Sequence, residues 1–392
     1  MNKSDIIVIG AGPSGLYLAR ELSKVMNVRI IEEDKVLGVP PHCTGLVNLD
    51  SLKALNVASP IVNTYRYIRL IDLSGNSITF DFKRRAIAML DRPGLEHYLA
   101  DGLGSATLIL GERVTELSND FIRTRSREET FNLAVIAEGA NMALTKEIIP
   151  WKPTYVYGVQ TDTKSFISSE LMPRGDDEIV VIFDRKLSEH YFAWIVPRDF
   201  HEFRVGLADD INTWTKFTEL LKIIKAEYLK PFGGKVIIGG SPDHVVAGNT
   251  AVIGDAAGFV KPMTGGGIIM GMLSAKILAE SIHNVIKEGL SINDALVIYD
   301  TLFRKYIRGK IKALGSASRI LHMMINNSLD DAMRLMNNVN VDVYDYDNHI
   351  DAILRAASKR PWSFIRAIFT VMNELSLIEP GTISELIKEN ME

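Results

Sequence analysis

The chain has 392 residues, 47% of them hydrophobic, with 44 basic against 48 acidic side chains and a formal net charge of -4. That length exceeds one ordinary core and predicts two domains, and the slightly acidic balance excludes the broad basic face that a nucleic-acid backbone requires. One cysteine cannot form an internal disulfide, no stretch approaches the roughly 18 uncharged apolar residues of a membrane span, and no charged leader with a cleavage site precedes the first apolar run. The expectation is a cytoplasmic protein whose membrane contact, if it makes any, is peripheral.

The first element is "DIIVI", residues 5–9, an apolar run of strand length dominated by β-branched residues and followed at once by "GAGPSG". Strand, tight turn and helix are predicted. Gly10 permits the turn, Gly12 lets the backbone approach a pyrophosphate, and Gly15 lets the helix opening near Ser14 pack closely on the strand. The free N–H groups at the start of that helix favour phosphate. "VRIIEE", residues 28–33, is a second strand that ends in a carboxylate about twenty residues on, where a ribose hydroxyl needs an acceptor. Glu32 is the predicted acceptor and Glu33 its solvated neighbour. An acid there disfavours a 2′-phosphate, which points to the adenosine of FAD or NAD rather than NADP.

In "GVPPHCTGLV", residues 38–47, two prolines and a following glycine place the single Cys43 on a loop. "AMLDRPGLEHYLA", residues 88–100, puts Arg92 at the start of a helix after a strand, where it reaches the cofactor phosphates or the Cys43 loop, or makes a surface salt bridge. "LILGERVTEL", residues 108–117, reads as a short strand and turn, with Val114 a candidate for backbone contact with adenine. "NLAVIAEGAN", residues 132–141, is a further parallel strand. Segments such as "EIVVIFD" and "EFRVGLA" alternate with the period of strands, and residues 60–85 and 151–244 are expected to form a mixed sheet roofing the cofactor.

Residues 249–282, "NTAVIGDAAGFVKPMTGGGIIMGMLSAKILAESI", again run strand, acid, glycines and long apolar helix. Asp255 at the strand end can accept from a ribityl hydroxyl. Gly265, Gly266, Gly267 and Ile268 bring backbone N–H groups and a helix N-terminus toward a ring system. A positive helix end suits the anionic edge of a reduced flavin, whereas a nicotinamide needs no such partner. Two motifs more than two hundred residues apart thus serve opposite ends of one cofactor, and that cofactor is FAD. Lys261 reads as an exposed lysine, with support of the flavin anion the alternative. Beyond residue 300 the pattern turns helical; Trp362, Ile365, Ile368, Phe369 and Met372 fall at helical spacing, either in a core or along a lipid channel or membrane surface.

The predicted class is α/β: a discontinuous Rossmann-like FAD-binding domain (1–60, 85–150 and 245–300), a substrate sheet domain (60–85 and 151–244) and a helical C-terminal region (301–392). The order of motifs, GxGxxG, then Glu32, then Asp91-Arg92, then "GDAAGFVKPMTGGGI", resembles the p-hydroxybenzoate hydroxylase class of flavoproteins. Within that class the chain resembles the geranylgeranyl reductase family, carried by "HCTGLV", "YFAWIVP" at 191–197 and the glycine-rich loop. The family's aromatic motif is Tyr-x-Trp-x-Phe-Pro; here Phe192, Trp194, Val196 and Pro197 stand at those places, with Tyr191 one position early.

The resemblance implies reduction of isoprenoid double bonds, on archaeal ether lipids or a prenylated quinone, and a cysteine loop in which Cys43, Thr44 and Leu46 line one side of the flavin ring. Cys43 there is a weak acid or a small polarizable filler. Trp194 and Phe192, alternating on a strand, are expected to face one way and form an aromatic wall, or else to fill a core; Tyr191 is expected to face the other way. No second GxGxxG occurs, so electrons arrive by a transient visit of NADPH, NADH or ferredoxin. The rival readings are an FAD monooxygenase and a lipid-binding or flavin-storage protein. Glu138-Gly139 and Gly258, where hydroxylases of the class carry Asp-Gly and often a histidine, favour reduction. His42, His97, His190 and His201 show no metal-ligand spacing, and no metal is expected.

Overall fold

The structure is a computed structural model that describes residues 4–164, 170–199, 201–227, 230–315, 318, 337–347 and 355. Its first sheet grows from "DIIVI": Ile6, Ile7 and Val8 are fully buried, as in a strand covered on both faces. From one edge the order is Val246–Ala247, Thr250–Val252, Glu128–Ile136, Ser4–Ile9, Val28–Ile31 and Thr107–Ile109, parallel throughout except for the outermost first pair. A hairpin of Glu116–Leu117 and Phe121–Arg123 extends the outer part of Glu128–Ile136. The helix Pro13–Leu22 packs on the 20-residue helix Ile268–Lys287, so the two glycine motifs come together although far apart in the chain.

The second sheet has eight strands in the order Phe232–Gly239, Thr154–Thr163, Phe203–Asp209, Ala193–Pro197, Glu178–Ile182, Tyr67–Ile71, Ser77–Asp81 and Val339–Asp342. One face is covered by the helix Thr213–Ile224, whose Phe217, Leu220, Leu221 and Ile224 are buried against it. Each such side chain contributes about 1.5–3 kcal/mol. The opposite face looks toward the C-terminal ends of the parallel strands, where an open α/β sheet holds its ligands. A three-stranded sheet, Leu46–Asn48, Ile87–Leu90 and Ile61–Tyr65, joins the two halves.

After residue 300 one short described segment differs from the helical expectation. The helix Ile292–Leu302 runs on through a π-helical turn, Phe303–Arg308, but Val339–Asp342 is a strand, paired parallel with Ser77–Asp81. Its sequence "VNVD" alternates at period two and Val341 is buried, so a short strand signal sits inside a stretch dominated by helical spacing. The methionine-rich residues 319–336 and Trp362, Ile365, Ile368, Phe369 and Met372 lie outside the described residues. Among the described residues no helix is long and apolar enough to cross a membrane.

Candidate functional site

A cavity of 710 Å³ runs between the sheets, from the glycine turn after Ser4–Ile9 to the inner face of the second sheet. At its first end Gly10 has φ of +105°, and a Cβ there would meet Ala137 O at 2.5 Å. A Cβ on Gly15 would stand 2.1 Å from Gly10 O, so this glycine closes helix onto turn and does not itself line the cavity. Gly12 is different: nothing lies within 4 Å of where its Cβ would be. It is the N-cap of Pro13–Leu22 and offers no side-chain cap, which leaves the helix N-terminus open to an anion. Ser14 lines the cavity beside Gly12.

Glu32 also lines the cavity, its carboxylate accepting from Ala11 N at 2.6 Å and Asp34 N at 2.9 Å. Burial raises its pKa, opposed by these two backbone donors. Glu33 is at the rim, 3.5 Å from Arg113, and Val114 is buried with its edge on the cavity.

Midway, the strand Thr250–Val252 delivers Asp255 in a 3₁₀ turn, and Gly265, at φ +65°, leads through Gly266 and Gly267 into Ile268. A Cβ on Gly267 would fall 2.4 Å from Asp255 Oδ1, so only glycine lets carboxylate and helix start converge. Asp255 is partly buried and lines the cavity; its carboxyl is pushed up to about 6 by desolvation, with Arg92 pulling it down. Arg92 pairs with the buried Glu96 at 2.5 Å. Burial would lower the guanidinium, but Glu96 and then Cys43 outweigh it and raise it. Arg92 therefore reaches the cysteine loop and is no surface salt bridge.

Cys43 Sγ accepts from Gly45 N at 3.4 Å. The loop is pinned to the second sheet: Thr44 Oγ1 donates to Gln160 Oε1 at 2.9 Å, Arg204 donates to Thr44 O at 3.2 Å, and His42 Nδ1 lies 3.0 Å from Gly233 O. Cys43, Thr44 and Leu46 line the cavity together. Open backbone at Gly12, acceptors at Glu32 and Asp255 and two uncapped helix starts suit a dinucleotide with a second ring system, so the cradle fits FAD.

The far end is aromatic. Trp194 lies over Gly206 of the adjacent strand, where a Cβ would be 2.4 Å from the indole, and its Nε1 is buried with no hydrogen-bond partner among the described residues. Phe192 meets Trp194 edge-on at 6.1 Å and Phe183 at 5.4 Å. Tyr191 does not face away as strand alternation predicts. Its ring stacks on Phe192, 4.1 Å apart and 18° from parallel, and it lines the cavity, because the strand begins only at Ala193 and the Tyr191 N–H instead donates to Ser188 Oγ at 3.0 Å.

Lys261 also departs from expectation. It is 6% exposed, and its ammonium pairs with Asp347, which the C-terminal stretch carries back to the site together with the cavity-lining Tyr346. Tertiary folding likewise groups His190 with Asp209 and Asp210, within 4.8 Å of one another, although Lys216 Nζ already lies 2.6 Å from Asp209. Glu138 is committed to backbone, accepting from Leu144 N and Thr145 N at 3.0 and 2.6 Å. Gln160, Arg204 and Gly206 escaped the sequence reading; of these only Gly206, a glycine inside a strand pattern, carried a signal of close approach.

Fold and cavity define a class first: the flavoprotein fold shared by FAD-dependent monooxygenases and reductases of p-hydroxybenzoate hydroxylase type. PqsL, a probable FAD-dependent monooxygenase from Pseudomonas aeruginosa, superposes with a TM-score of 0.62 at 15% identity, over 83% of this chain and 97% of its own. A geranylgeranyl bacteriochlorophyll reductase-like protein from Thermoplasma acidophilum superposes with a TM-score of 0.80 at 16% identity, over 95% of this chain and all of its own. In sequence, the chain is 24% identical over 374 residues to digeranylgeranylglycerophospholipid reductase 1 of Methanosphaera stadtmanae, covering 87% of this chain and 90% of that protein. No family model matches. The chain thus resembles these reductases along most of its length, in sequence and in fold.

Proposed function

We propose that the protein is an FAD-dependent reductase that saturates isoprenoid double bonds of geranylgeranyl chains, with an archaeal ether lipid as substrate. The observation that carries this reading is the continuity of one cavity from the open backbone at Gly12 to the aromatic floor of Trp194 and Phe192. Its far end offers apolar and aromatic surface of the kind that a long hydrocarbon fills. The digeranylgeranylglycerophospholipid reductases among its relatives supply the substrate class.

In this reading Gly10, Gly12 and the start of Pro13–Leu22 hold the pyrophosphate, and Glu32 accepts from the adenosine ribose. Asp255 accepts from the ribityl chain, and Gly265 to Ile268 face the anionic edge of the ring. Bound and reduced, FAD supplies hydride. Cys43, Thr44 and Leu46 flank the ring and keep water from it. Trp194 and Phe192 orient the alkene and present ring faces to the positive charge that builds on its tertiary carbon. Electrons come from a visiting NADPH, NADH or ferredoxin, and the substrate is reached by peripheral contact with a membrane.

The test is to purify the protein with its flavin, reduce it anaerobically, mix it with a digeranylgeranylglycerophospholipid and follow flavin absorbance and lipid mass. Reoxidation coupled to lipids that gain two hydrogens per bond is expected; a flavin that stays reduced with unchanged lipid overturns the reading. A second reading, oxygen insertion, rests on the fold shared with PqsL. It requires a hydroperoxide absorbance transient on mixing with oxygen and an oxygenated product.

A further inference from the structure

The strand Thr154–Thr163 turns Gly158 and Gln160 toward the cavity and Val159 toward the helix-covered face of the second sheet. Gln160, the only glutamine of the 392 residues, stands in one row with Gly206 and Trp194: it pairs with Gly206 of the next strand, which pairs in turn with Trp194. The row joins the aromatic wall to the cysteine loop, because Gln160 Oε1 accepts from Thr44 Oγ1 at 2.9 Å. Gln160 is 3% exposed, so this carboxamide is held inside the molecule, and it lines the cavity together with Thr44, Trp194 and Ala208.

One half of that amide is satisfied and the other is not. With Oε1 committed to Thr44, Nε2 has no acceptor among the described residues, and it is not sealed in by protein either, so its N–H bonds open on the cavity. Arg204, the other side chain that holds Thr44, spends Nε and Nη2 on Asp162 at 2.7 and 2.9 Å. A donor inside a protein is costly to leave unpaired. What it can meet follows from chemistry. An isoprenoid chain offers no acceptor along its length, whereas a flavin ring carries carbonyl oxygens and ring nitrogens that gain electron density on reduction.

We propose that Gln160 is a cofactor-binding residue whose Nε2 donates to an acceptor on the edge of the flavin ring, with Thr44 as the positioning residue that fixes the amide in that orientation; the inference rests on the flavin-binding reading above. The Thr44 hydroxyl holds Oε1 on the loop side, which leaves the N–H bonds for the cavity. Because the acceptor is more negative in the reduced ring, the bond is stronger there and favours the reduced cofactor. Gln160 thus brings to the ring a donor from the second sheet, in the same row as the indole of Trp194.

Two measurements test this. Because Gln160 is the only glutamine, protein labelled with side-chain ¹⁵N-glutamine reports one amide, which is followed as FAD, then reductant, then a digeranylgeranylglycerophospholipid are added to the flavin-free protein. The resonance is expected to shift on FAD binding, to shift again on reduction and to move little with lipid. Anaerobic redox titration then compares FAD-loaded wild type with Gln160→Leu, Gln160→Glu and Thr44→Val. Gln160→Leu is expected to keep its flavin but to lower the reduced-to-oxidised ratio at a fixed potential about tenfold, which is about 30 mV for a two-electron couple. Gln160→Glu should fall further, since a carboxylate toward the ring opposes its negative charge. Thr44→Val loosens the amide but keeps the donor, so its potential should fall by less than that of Gln160→Leu. A resonance indifferent to FAD, or equal shifts in Thr44→Val and Gln160→Leu, overturns the assignment and leaves Gln160 a tether of the loop. A resonance that moves only with lipid also overturns it, by giving the donor to the substrate. Flavin binding stands in each of these cases; a protein that never takes up flavin ends both readings.

Discussion

At the nucleotide end of the cavity the protein works with backbone, and at the aromatic end with side chains. Gly10, Gly12 and Gly15 act through the absence of a Cβ, over six consecutive residues of one turn. Trp194, Phe192, Tyr191 and Tyr346 act through their rings. They arrive from a strand, the stretch before it and a C-terminal turn about 150 residues later, a spread read directly from the sequence. A site made of backbone tolerates almost no substitution but is local. A site made of rings from several elements allows repacking, so a change there alters activity before it alters the fold.

The sharpest way to break that contrast is Gly15→Ala. The new methyl would stand 2.1 Å from Gly10 O, with no flexible side chain to yield. Loss of bound flavin and a fall of about 3 kcal/mol in unfolding free energy are expected; a yellow protein of unchanged urea midpoint would refute the backbone argument. Gly206→Val is the counterpart at the other end, where the obstacle is the Trp194 indole. Flavin should be retained, stability should fall by about 1–3 kcal/mol, and lipid reduction should be lost, as read by absorbance and lipid mass.

Asp255→Asn tests the seam between the two ends. The carboxyl is pushed up to about 6 from an ordinary 3.8, so the folded protein holds that proton more tightly than the unfolded chain. The stabilisation is complete below the unfolded value and is lost as pH rises through the folded one. At pH 7 to 8 the flavin-free protein carries a buried charge costing about 1–3 kcal/mol. Asn should raise stability by that amount at pH 7 to 8 and by almost nothing near pH 4, measured as urea midpoints. A gain independent of pH would sink the attribution. The smallest effect is expected of Cys43→Ala: flavin content unchanged and lipid reduction lowered by less than about tenfold, the cost of a lost small contact rather than of a lost acid. Complete loss of reduction in that variant would assign the proton to the thiol.

The nucleotide half was legible because each of its signals is a spacing within one short segment. Gly12, Glu32, Asp255 and the run Gly265 to Ile268 all come to one cavity, and the apolar strands "DIIVI" and "VRII" pair as parallel neighbours. The second half was legible as strands but not as a site. Alternation put Tyr191 on the wrong face because the place where the pleat begins depends on pairing with Phe203–Asp209, which the residues at 191–192 do not reveal. Lys261 read as exposed because nothing near it in sequence signals Asp347, and Gln160 and Arg204 gave no sign that they pin the loop of Cys43.

By itself, then, the amino-acid order determined the turns, caps and strand periods, and through them a dinucleotide cradle, since those are set by the conformational limits of a few adjacent residues. Which rings and protons meet the substrate was decided only by tertiary structure. Their positions depend on strand pairing at the sheet edge and on ion pairs between segments far apart in the chain, and such contacts leave no periodicity along the sequence.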